Sequence, residues 1–434
     1  MLAASRRASE WFDILVTREA ELLKQHPVLL RRFRVILLLV TLIVASRFAL
    51  GTLWQWALVS QHPLSLDFSI YRASAIQGMQ FGWNHLYDLD AQRRVYDNQA
   101  REYPSLGTML WAPNVYTPPM SWLVVPFTFL PVLSGYLIWS ILIFATTAFA
   151  VLTLAPGSLL AKVVQLALFL CPELVLLSLQ EGQVTSFQIA AIAACWLLLK
   201  RGHDTWAGLA LVPLVLKPTT LLLVPVTLLA AGRLRVFSAW LIATGVIGLA
   251  VLATIGIDGT VAYIHRIQYA SSNPTEYLLG PWYNLTLHFS TRLGRLSAEV
   301  LAGALTLWVG WRYRNAGPEI PLAAGLVGSL LVASYLHLND LLTLFPAGWL
   351  ILRANINWSL WVLVAGGYLI TVLSNGAGIF HWGEGLLLLE IALLVAPAVL
   401  GPSEGPVGGP QQRARFGAPL RLEPVPAAQT QGRE

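Results

Sequence analysis

Charged residues are scarce in this sequence: Asp, Glu, Lys and Arg make up 12% of its 434 residues, against roughly 25% in soluble proteins. So low a share excludes an ordinary water-soluble domain. Cysteine is also rare. Because Cys171 and Cys195 both lie in apolar stretches, we interpret them as small buried residues rather than as a disulfide or metal site. Residues 1–30 lack a short apolar core with a small-residue cleavage site, so no cleavable signal peptide is expected.

Apolar residues dominate instead. They form 56% of the chain, with a mean hydropathy of +0.63 and 17 Trp. Because a helix crosses about 30 Å of hydrocarbon with ~20 residues, we predict an all-α polytopic membrane protein with about 12 transmembrane helices. The predicted segments are 35–53, 133–154, 160–179, 184–199, 205–216, 218–231, 236–256, 297–311, 320–336, 340–352, 358–374 and 385–399. The short, proline-flanked segment 118–130 either crosses the membrane or is re-entrant.

Short basic clusters between the apolar segments indicate the orientation. Cytoplasmic loops are enriched in Lys and Arg, so these clusters are placed in the cytoplasm: Arg31–Arg34, Lys200-Arg201, Arg233 with Arg235, Arg312 with Arg314, and Arg353. Both termini then lie in the cytoplasm. The net charge of +6 is accounted for by such clusters and does not indicate nucleic-acid binding.

The sequence divides into three regions. Residues 1–34 form a cytoplasmic segment in which Trp11 and Phe12 favour an interfacial helix. Residues 35–400 form the transmembrane domain, in which two large outer loops, about 55–117 and 257–296, are expected to carry short interfacial helices. Residues 401–434, rich in Gly, Pro, Gln and Arg, are predicted to be a disordered cytoplasmic tail.

The predicted topology places the polar residues least expected in a bilayer on one outer face. Asp67, in Leu66-Asp67-Phe68-Ser69-Ile70-Tyr71, follows the first segment, and a charge beside a membrane exit is costly unless water or function retains it. The turn Gln180-Glu181-Gly182-Gln183 and the stretch Ser334–Asp340 lie on the same side. The apolar segment 205–216 is too short to cross the membrane alone, and Lys217-Pro218 interrupts the apolar pattern directly after it. Broken helices at membrane depth usually line a cavity.

These groups suit glycosyl transfer from a lipid phosphate. A carboxylate such as Asp67 accepts the proton of the attacking hydroxyl. Cationic groups such as Lys217 and Arg72 stabilise the departing phosphate, whose charge grows in the transition state. Amides and aromatic rings, such as Gln183 and Tyr71, hold the sugars. The lipid tail requires an opening toward the bilayer.

A series of short motifs runs in order from about residue 60 to residue 345. The motifs are Leu66-Asp67-Phe68-x-x-Tyr71, Gly78, Leu86-Tyr87-Asp88, Tyr116-Thr117-Pro118-Pro119, Pro126…Leu130-Pro131, Glu181-Gly182-Gln183-Val184, Ala207-Gly208-Leu209-Ala210, Leu216-Lys217-Pro218 and Ser334-Tyr335-x-His337-x-x-Asp340. The ordered series resembles glycosyltransferase family 87, whose members are polyprenol-phosphate-sugar-dependent mannosyl- and arabinosyltransferases with the GT-C membrane fold.

The resemblance implies a GT-C-like bundle with Asp67 as catalytic base in the first outer loop. It also implies that His337 and Lys217 lie near the donor phosphate, and we add Arg72, Gln183, Tyr71 and Asp340 as candidate residues for binding the donor phosphate or sugar. Thr185 stands where the family tends to show Asn after Gly-Gln-Val.

Each of these residues also has a plainer interpretation. Asp67 could be the N-cap of a helix, Lys217 could extend to the headgroups and His337 could be a packed neutral histidine. Gln183 could have no role beyond capping a turn between two spans, and Asp340 could be the N-terminal acid of the next helix.

Two further acidic or basic features remain open at this level. Arg72 follows Asp67 by five residues and is expected to pair either with it or with phosphate. Asp88-Leu89-Asp90 mimics a metal-binding Asp-x-Asp motif, which is weak by itself. No cofactor or metal ligand is therefore assigned, although a divalent metal stays an option.

We predict an inverting glycosyltransferase of the plasma membrane with its active site on the extracytoplasmic side. The donor is a polyprenyl-phosphate sugar, with mannose favoured, and the acceptor is a hydroxyl of a glycolipid or glycan. The alternative is a transporter or flippase of lipid-linked sugars, although no internal repeat of the kind that transporters often show is found. A catalytically silent relative that acts as an assembly partner is the third interpretation.

Overall fold

The computed structural model describes residues 27–106, 113–272, 289, 291–333, 336–354, 363–368 and 383–400. Within these ranges every regular element is a helix, which confirms the all-α class. The main helices are α1 (Pro27–Val59), α2 (Asp67–Phe81), α3 (Leu89–Glu102), α4 (Pro118–Thr128), α5 (Val132–Leu154), α6 (Leu159–Phe169), α7 (Glu173–Glu181), α8 (Thr185–Lys200), α9 (Asp204–Ala210), α10 (Leu223–Ala230), α11 (Leu234–Ser272), α12 (Arg292–Arg312), α13 (Glu319–Val332), α14 (Leu344–Arg353) and α15 (Gly383–Leu400). The predicted interfacial helix before residue 27 and the tail 401–434 lie outside the described residues.

Three of these helices are long and apolar enough to cross a membrane: Arg31–Val59, Val132–Leu154 and Leu234–Tyr269. The pair Leu159–Phe169 and Leu174–Glu181 qualifies as a fourth if it counts as one span, although it bends by 77°. The other apolar helices in the described residues are shorter. A helix rises 1.5 Å per residue, so the 16 residues of α8 reach less than the thickness of the hydrocarbon. The count of about 12 transmembrane helices therefore stays a prediction.

Exposed apolar side chains show which surface must face lipid. Along α1 and α11, side chains such as Ile43 (71% exposed) and Leu249 (69% exposed) lie uncovered in the folded chain. A water-soluble monomer rarely exposes large continuous apolar patches. The predicted membrane class is thus supported by surface composition as well as by helix length, and the free thiols of Cys171 and Cys195 are buried, as predicted.

Basic residues from distant helices meet at one end of the bundle. Lys200 at the end of α8 pairs with Glu319 at the start of α13, with 3.0 Å between Nζ and Oε1. The Arg353 guanidinium at the end of α14 lies over the Trp196 ring and donates to the carbonyls of the residues that end α5. Lys200 and Arg353 were predicted to share one side of the membrane, and the fold brings them together.

The predicted break at Lys217-Pro218 is confirmed. Two short 3₁₀ helices, Val212–Leu216 and Pro218–Thr220, separate α9 from α10. Proline has no N–H to continue a helix, and here the Lys217 carbonyl accepts hydrogen bonds from the side chains of Gln188 (3.0 Å) and Thr220 (3.2 Å). The carbonyl that the break removes from the helical hydrogen-bond pattern is thus hydrogen-bonded by side chains instead.

A glycine sets how closely α9 approaches α11, and this gives a first testable prediction. A Cβ added at Gly208 would lie 2.2 Å from the Val236 carbonyl oxygen and 2.8 Å from the Ala239 Cβ. We expect Gly208→Ala to destabilise the protein by about 1–3 kcal/mol, as overpacking does, measured as a lower thermal unfolding temperature in detergent. Gly248→Ala on α11 is the control, since a Cβ there meets nothing within 4 Å. Equal unfolding temperatures for the two variants would contradict the prediction.

Candidate active site

A tight turn after α7 holds the first part of the site. Gly182 adopts φ +75°, a conformation that favours glycine, and the Gln183 N–H returns to the Ser178 carbonyl at 3.0 Å. From α5, the Trp139 indole N–H donates to the Gly182 carbonyl at 2.7 Å. The Tyr136 hydroxyl, also on α5, donates to carbonyls at the end of α7. The turn is therefore held in place by two side chains of α5, and Gln183 is fully buried.

Asp67 is the first residue of α2, and Leu66 occupies the N-cap position without a side-chain capping bond. The interpretation of Asp67 as an N-cap is therefore wrong. Its half-buried carboxylate instead accepts hydrogen bonds from the Tyr116 hydroxyl (3.2 Å) and from the Gln183 amide Nε2. Tyr71, one helical turn later, donates to Gln183 Oε1 at 3.3 Å. The helix N-terminus adds a favourable field for the ionised carboxylate.

A second carboxylate joins this group. Glu181 Oε2 accepts from Gln183 Nε2 at 3.3 Å and from Asn339 Nδ2 at 2.8 Å. The Gln183 amide therefore contacts Asp67 and Glu181 together. The sequence motifs contained Glu181 and Asn339 but did not single them out, and neither they nor Tyr116 had been assigned to the site.

A buried ion pair forms the third part. Lys217 Nζ lies 2.6 and 2.8 Å from the two carboxylate oxygens of Asp340, and the two side chains are 5% and 0% exposed. Asp340 stands in the first turn of the 3₁₀ helix Leu338–Thr343, and its Oδ2 accepts the His337 backbone N–H at 2.8 Å. The interpretation of Asp340 as a helix-start acid is thus confirmed, and the ion pair supplies the partner that a buried lysine needs.

These three parts form one connected network. Gln183 contacts Asp67 and Glu181, Glu181 contacts Asn339, and Asn339 precedes Asp340, the partner of Lys217. Tyr116 and Lys217 also line one narrow cleft. Residues more than 270 positions apart in the chain are therefore assembled around one polar centre.

The environment changes how Asp67 and His337 titrate. Desolvation by burial raises the pKa of Asp67 to about 6, although the Tyr116 hydrogen bond and the Lys217 charge act in the opposite direction. Burial, together with the Lys217 charge, holds the pKa of His337 well below its ordinary value. His337 is therefore a neutral imidazole at physiological pH, so it can donate a hydrogen bond but adds no positive charge.

Arg72 does not join this network. Five residues along a helix separate side chains by about 140°, so Arg72 lies on a different face of α2 from Asp67. Its guanidinium donates to Gln99 Oε1 at 2.8 Å and to the carbonyls of Thr128 (3.3 Å) and Leu130 (3.4 Å). The expected pairing of Arg72 with Asp67 is therefore wrong.

Asp88 of the Asp-x-Asp motif has a structural role at the start of a helix. It is the N-cap of α3, and its carboxylate accepts the backbone N–H groups of Asp90 (2.9 Å) and Ala91 (3.1 Å). In the part of the chain that the structure describes, no three His, Cys, Asp or Glu side chains cluster as metal ligands.

Comparison with known families gives the class of the chain. The family model "Glycosyltransferase family 87" matches residues 114–338, slightly more than half of the sequence. The chain belongs to glycosyltransferase family 87. No curated protein and no solved structure matches it. Membership of family 87 makes the chain a membrane glycosyltransferase and does not favour the transporter alternative.

The family 87 match covers only part of the polar network. Tyr116, Glu181, Gln183, Lys217 and His337 lie inside it. The α2 residues Asp67 and Tyr71 precede it, and Asn339 and Asp340 follow directly after it. Hydrogen bonds of the fold, rather than the family match, therefore connect the acid of α2 to the matched residues.

Proposed function

We propose that this family 87 protein transfers a mannosyl group from polyprenyl phosphate to a hydroxyl of a glycolipid or glycan, with inversion at the anomeric carbon. The observation that carries the proposal is the network that joins the Asp67 carboxylate to the Lys217–Asp340 pair through Gln183, Glu181 and Asn339. Glycosyl transfer from a phosphate needs a base and a positive group on either side of one reacting carbon.

In the proposed reaction, Asp67 acts as general base. The acceptor hydroxyl oxygen forms a bond to the anomeric carbon while the bond from that carbon to the phosphate oxygen breaks. Asp67 takes the hydroxyl proton, and the phosphate leaves with the bonding electron pair. The Tyr116 hydroxyl and the Gln183 amide hold the carboxylate in a fixed orientation, which reduces the reorganisation needed during the reaction.

Lys217 is proposed to face the departing phosphate. Two of its three N–H donors are engaged by Asp340, which leaves one for a phosphate oxygen. Asp340 thus acts by positioning Lys217, and the neutral His337 ring adds a hydrogen bond. Gln183 and Tyr71 line the side nearer the base, where sugar hydroxyls need polar partners. Arg72 is left out of this donor site because its contacts lie on another face of α2.

The reaction is proposed to take place at the extracytoplasmic face of the plasma membrane. Supporting this, Lys200 and Arg353 gather at one end of the bundle, and cytoplasmic ends of membrane proteins are enriched in such residues. The polar network is built from the other ends of the same helices, since α8 ends at Lys200 but begins two residues after Gln183. The polyprenyl chain of the donor would remain in the bilayer.

A transfer assay with purified protein tests the proposal. The protein in detergent receives a panel of polyprenyl-phosphate sugars and a glycolipid acceptor, with and without chelator, and product mass identifies the sugar. We expect a product with polyprenyl-phosphate mannose and no loss of rate on chelation. Movement of labelled lipid across vesicles without formation of a glycosidic bond would instead establish transport and overturn the proposal.

The hydrogen bond from Tyr116 to Asp67 predicts a pH effect. A general base must be deprotonated, so kcat/KM should fall below pH 6, where the Asp67 carboxylate with a pKa of about 6 becomes protonated. Because the Tyr116 hydrogen bond lowers that pKa, Tyr116→Phe should move the acid limb to higher pH. Tyr87→Phe is the control, since the Tyr87 hydroxyl donates to the Tyr116 carbonyl and not to Asp67. An acid limb that stays in place in Tyr116→Phe would remove Asp67 as the titrating base.

A further inference from the structure

Arg72 lines a second pocket on a different face of α2 from Asp67. The pocket has a volume of about 640 Å³, and its polar lining consists mainly of Arg72, Gln80, Asn98, Gln99, Glu102 and Tyr103. None of the residues of the Asp67–Lys217 network lines it. The two sites are therefore separate, although α2 contributes residues to both.

The Arg72 guanidinium is buried without a carboxylate partner. The residue is 5% exposed, and burial lowers its pKa from the ordinary value although arginine remains charged. Among the described residues no ion pair includes Arg72. Glu102 is exposed and acts on it only through its field. Buried charges are normally paired with an opposite charge. The described part of the chain supplies no such counter-charge to the Arg72 guanidinium.

Two donors in the pocket lining also lack acceptors in the described part of the chain. They are Arg72 Nε and the Gln99 amide Nε2, which are both buried. The contacts that Arg72 makes with the carbonyls of Thr128 and Leu130 are long, at 3.3 and 3.4 Å. Unsatisfied buried donors beside an unpaired cation favour an anionic acceptor with several oxygens.

The position of the pocket indicates where that acceptor comes from. One wall is formed by the stretch from Thr128 to Pro131, and α5, which is long and apolar enough to cross a membrane, begins at the next residue. Two large apolar side chains of the lining are exposed: Phe129 (77%) and Met79 (41%). A polar pocket with an apolar rim at the end of a membrane span lies at the depth of lipid headgroups.

We propose that the Arg72 pocket binds the anionic phosphate headgroup of a membrane lipid. The guanidinium presents several N–H donors in a fixed fork that matches phosphate oxygens, and Gln99 Nε2 adds another donor. The lipid chains would leave past Phe129 and Met79 into the bilayer. This site lies apart from the proposed donor site and does not depend on the transfer reaction.

The proposal is tested by lipid binding to the full-length protein in detergent, followed by native mass spectrometry. The probes are phosphatidylglycerol, zwitterionic phosphatidylcholine and inorganic phosphate. Gln80 is exposed and lines the pocket, so we expect its substitution to leave the fold intact. We expect Gln80→Glu to weaken the tightest phosphatidylglycerol site by roughly three- to tenfold and Gln80→Lys to strengthen it, because a charge is placed near the bound anion.

Arg72→Gln should weaken the same site by roughly tenfold or more, with thermal unfolding measured alongside to confirm folding. Arg94→Gln is the matched control, since Arg94 is exposed, lies over the Phe81 ring and is not in the pocket lining. The proposal is supported if the protein prefers phosphatidylglycerol over phosphatidylcholine and if this preference changes in the Gln80 variants but not in Arg94→Gln. Equal affinity for both lipids, or a site that takes inorganic phosphate as tightly as the lipid, overturns it.

Discussion

Asp67→Asn is expected to abolish sugar transfer while leaving the protein folded. Asparagine keeps the size of the side chain and an oxygen that can accept the Tyr116 hydrogen bond, but it cannot take a proton from the acceptor hydroxyl. General base catalysis typically contributes 10²–10⁴-fold, so we expect the transfer rate to fall by about that factor. The measurement is the initial rate with saturating donor and acceptor, together with the elution volume and the unfolding temperature of the purified variant.

Asp97→Asn is the matched control for this substitution. Asp97 lies on α3, its side chain is 59% exposed and its only ion pair within the described residues is a 3.7 Å contact with Arg93. Exposed pairs of this kind contribute little to stability, so this variant should transfer at the wild-type rate. If Asp67→Asn retains near-full activity under the same conditions, Asp67 is not the base and the proposed mechanism fails.

The helical segments could be predicted from the sequence because apolar runs and their proline breaks are local signals. The segment predicted at 133–154 is α5, and the segment predicted at 184–199 is α8. The interruption at Lys217-Pro218 was readable because proline removes a backbone donor. The predicted end of the segment 236–256 is the point at which α11 is interrupted, because Gly256 adopts φ +71°, outside the helical range, and a helix then resumes to Ser272.

The site was predictable only in part. Asp67, Lys217 and Asp340 were conspicuous because charge is rare in this chain, and rarity is visible in a sequence. Glu181 and Asn339 were not, because their role depends on the Gln183 amide that bridges two carboxylates across the bundle. The direction of Arg72 was not anticipated although the sequence contains it: proximity to Asp67 in the chain suggested pairing, whereas a five-residue spacing along a helix separates the two side chains by about 140°.

The second large effect is expected at the Lys217–Asp340 pair. Lys217→Met leaves the Asp340 carboxylate buried without its partner, and Asp340→Asn leaves the Lys217 ammonium uncompensated. Breaking a buried pair by removing one partner costs about 3–5 kcal/mol, so both single variants should unfold at clearly lower temperature. The double variant Lys217→Met/Asp340→Asn contains neither charge, and the Asn side chain can still accept the His337 N–H. Its stability should therefore recover most of the loss.

The transfer rate of the double variant distinguishes a structural role of Lys217 from a catalytic one. If Lys217 stabilises the departing phosphate, the double variant should remain about 10²–10³-fold slower than wild type despite its restored stability, as when one transition-state donor is removed. The pair Lys200–Glu319 at the other end of the bundle is the control, because it is also an ion pair, with Lys200 48% exposed. Lys200→Met/Glu319→Gln should transfer normally. Wild-type activity in the stable Lys217→Met/Asp340→Asn protein would show that the buried pair has only a structural role, in which it holds the 3₁₀ helix Leu338–Thr343 against the break between α9 and α10. A different cation would then have to stabilise the departing phosphate.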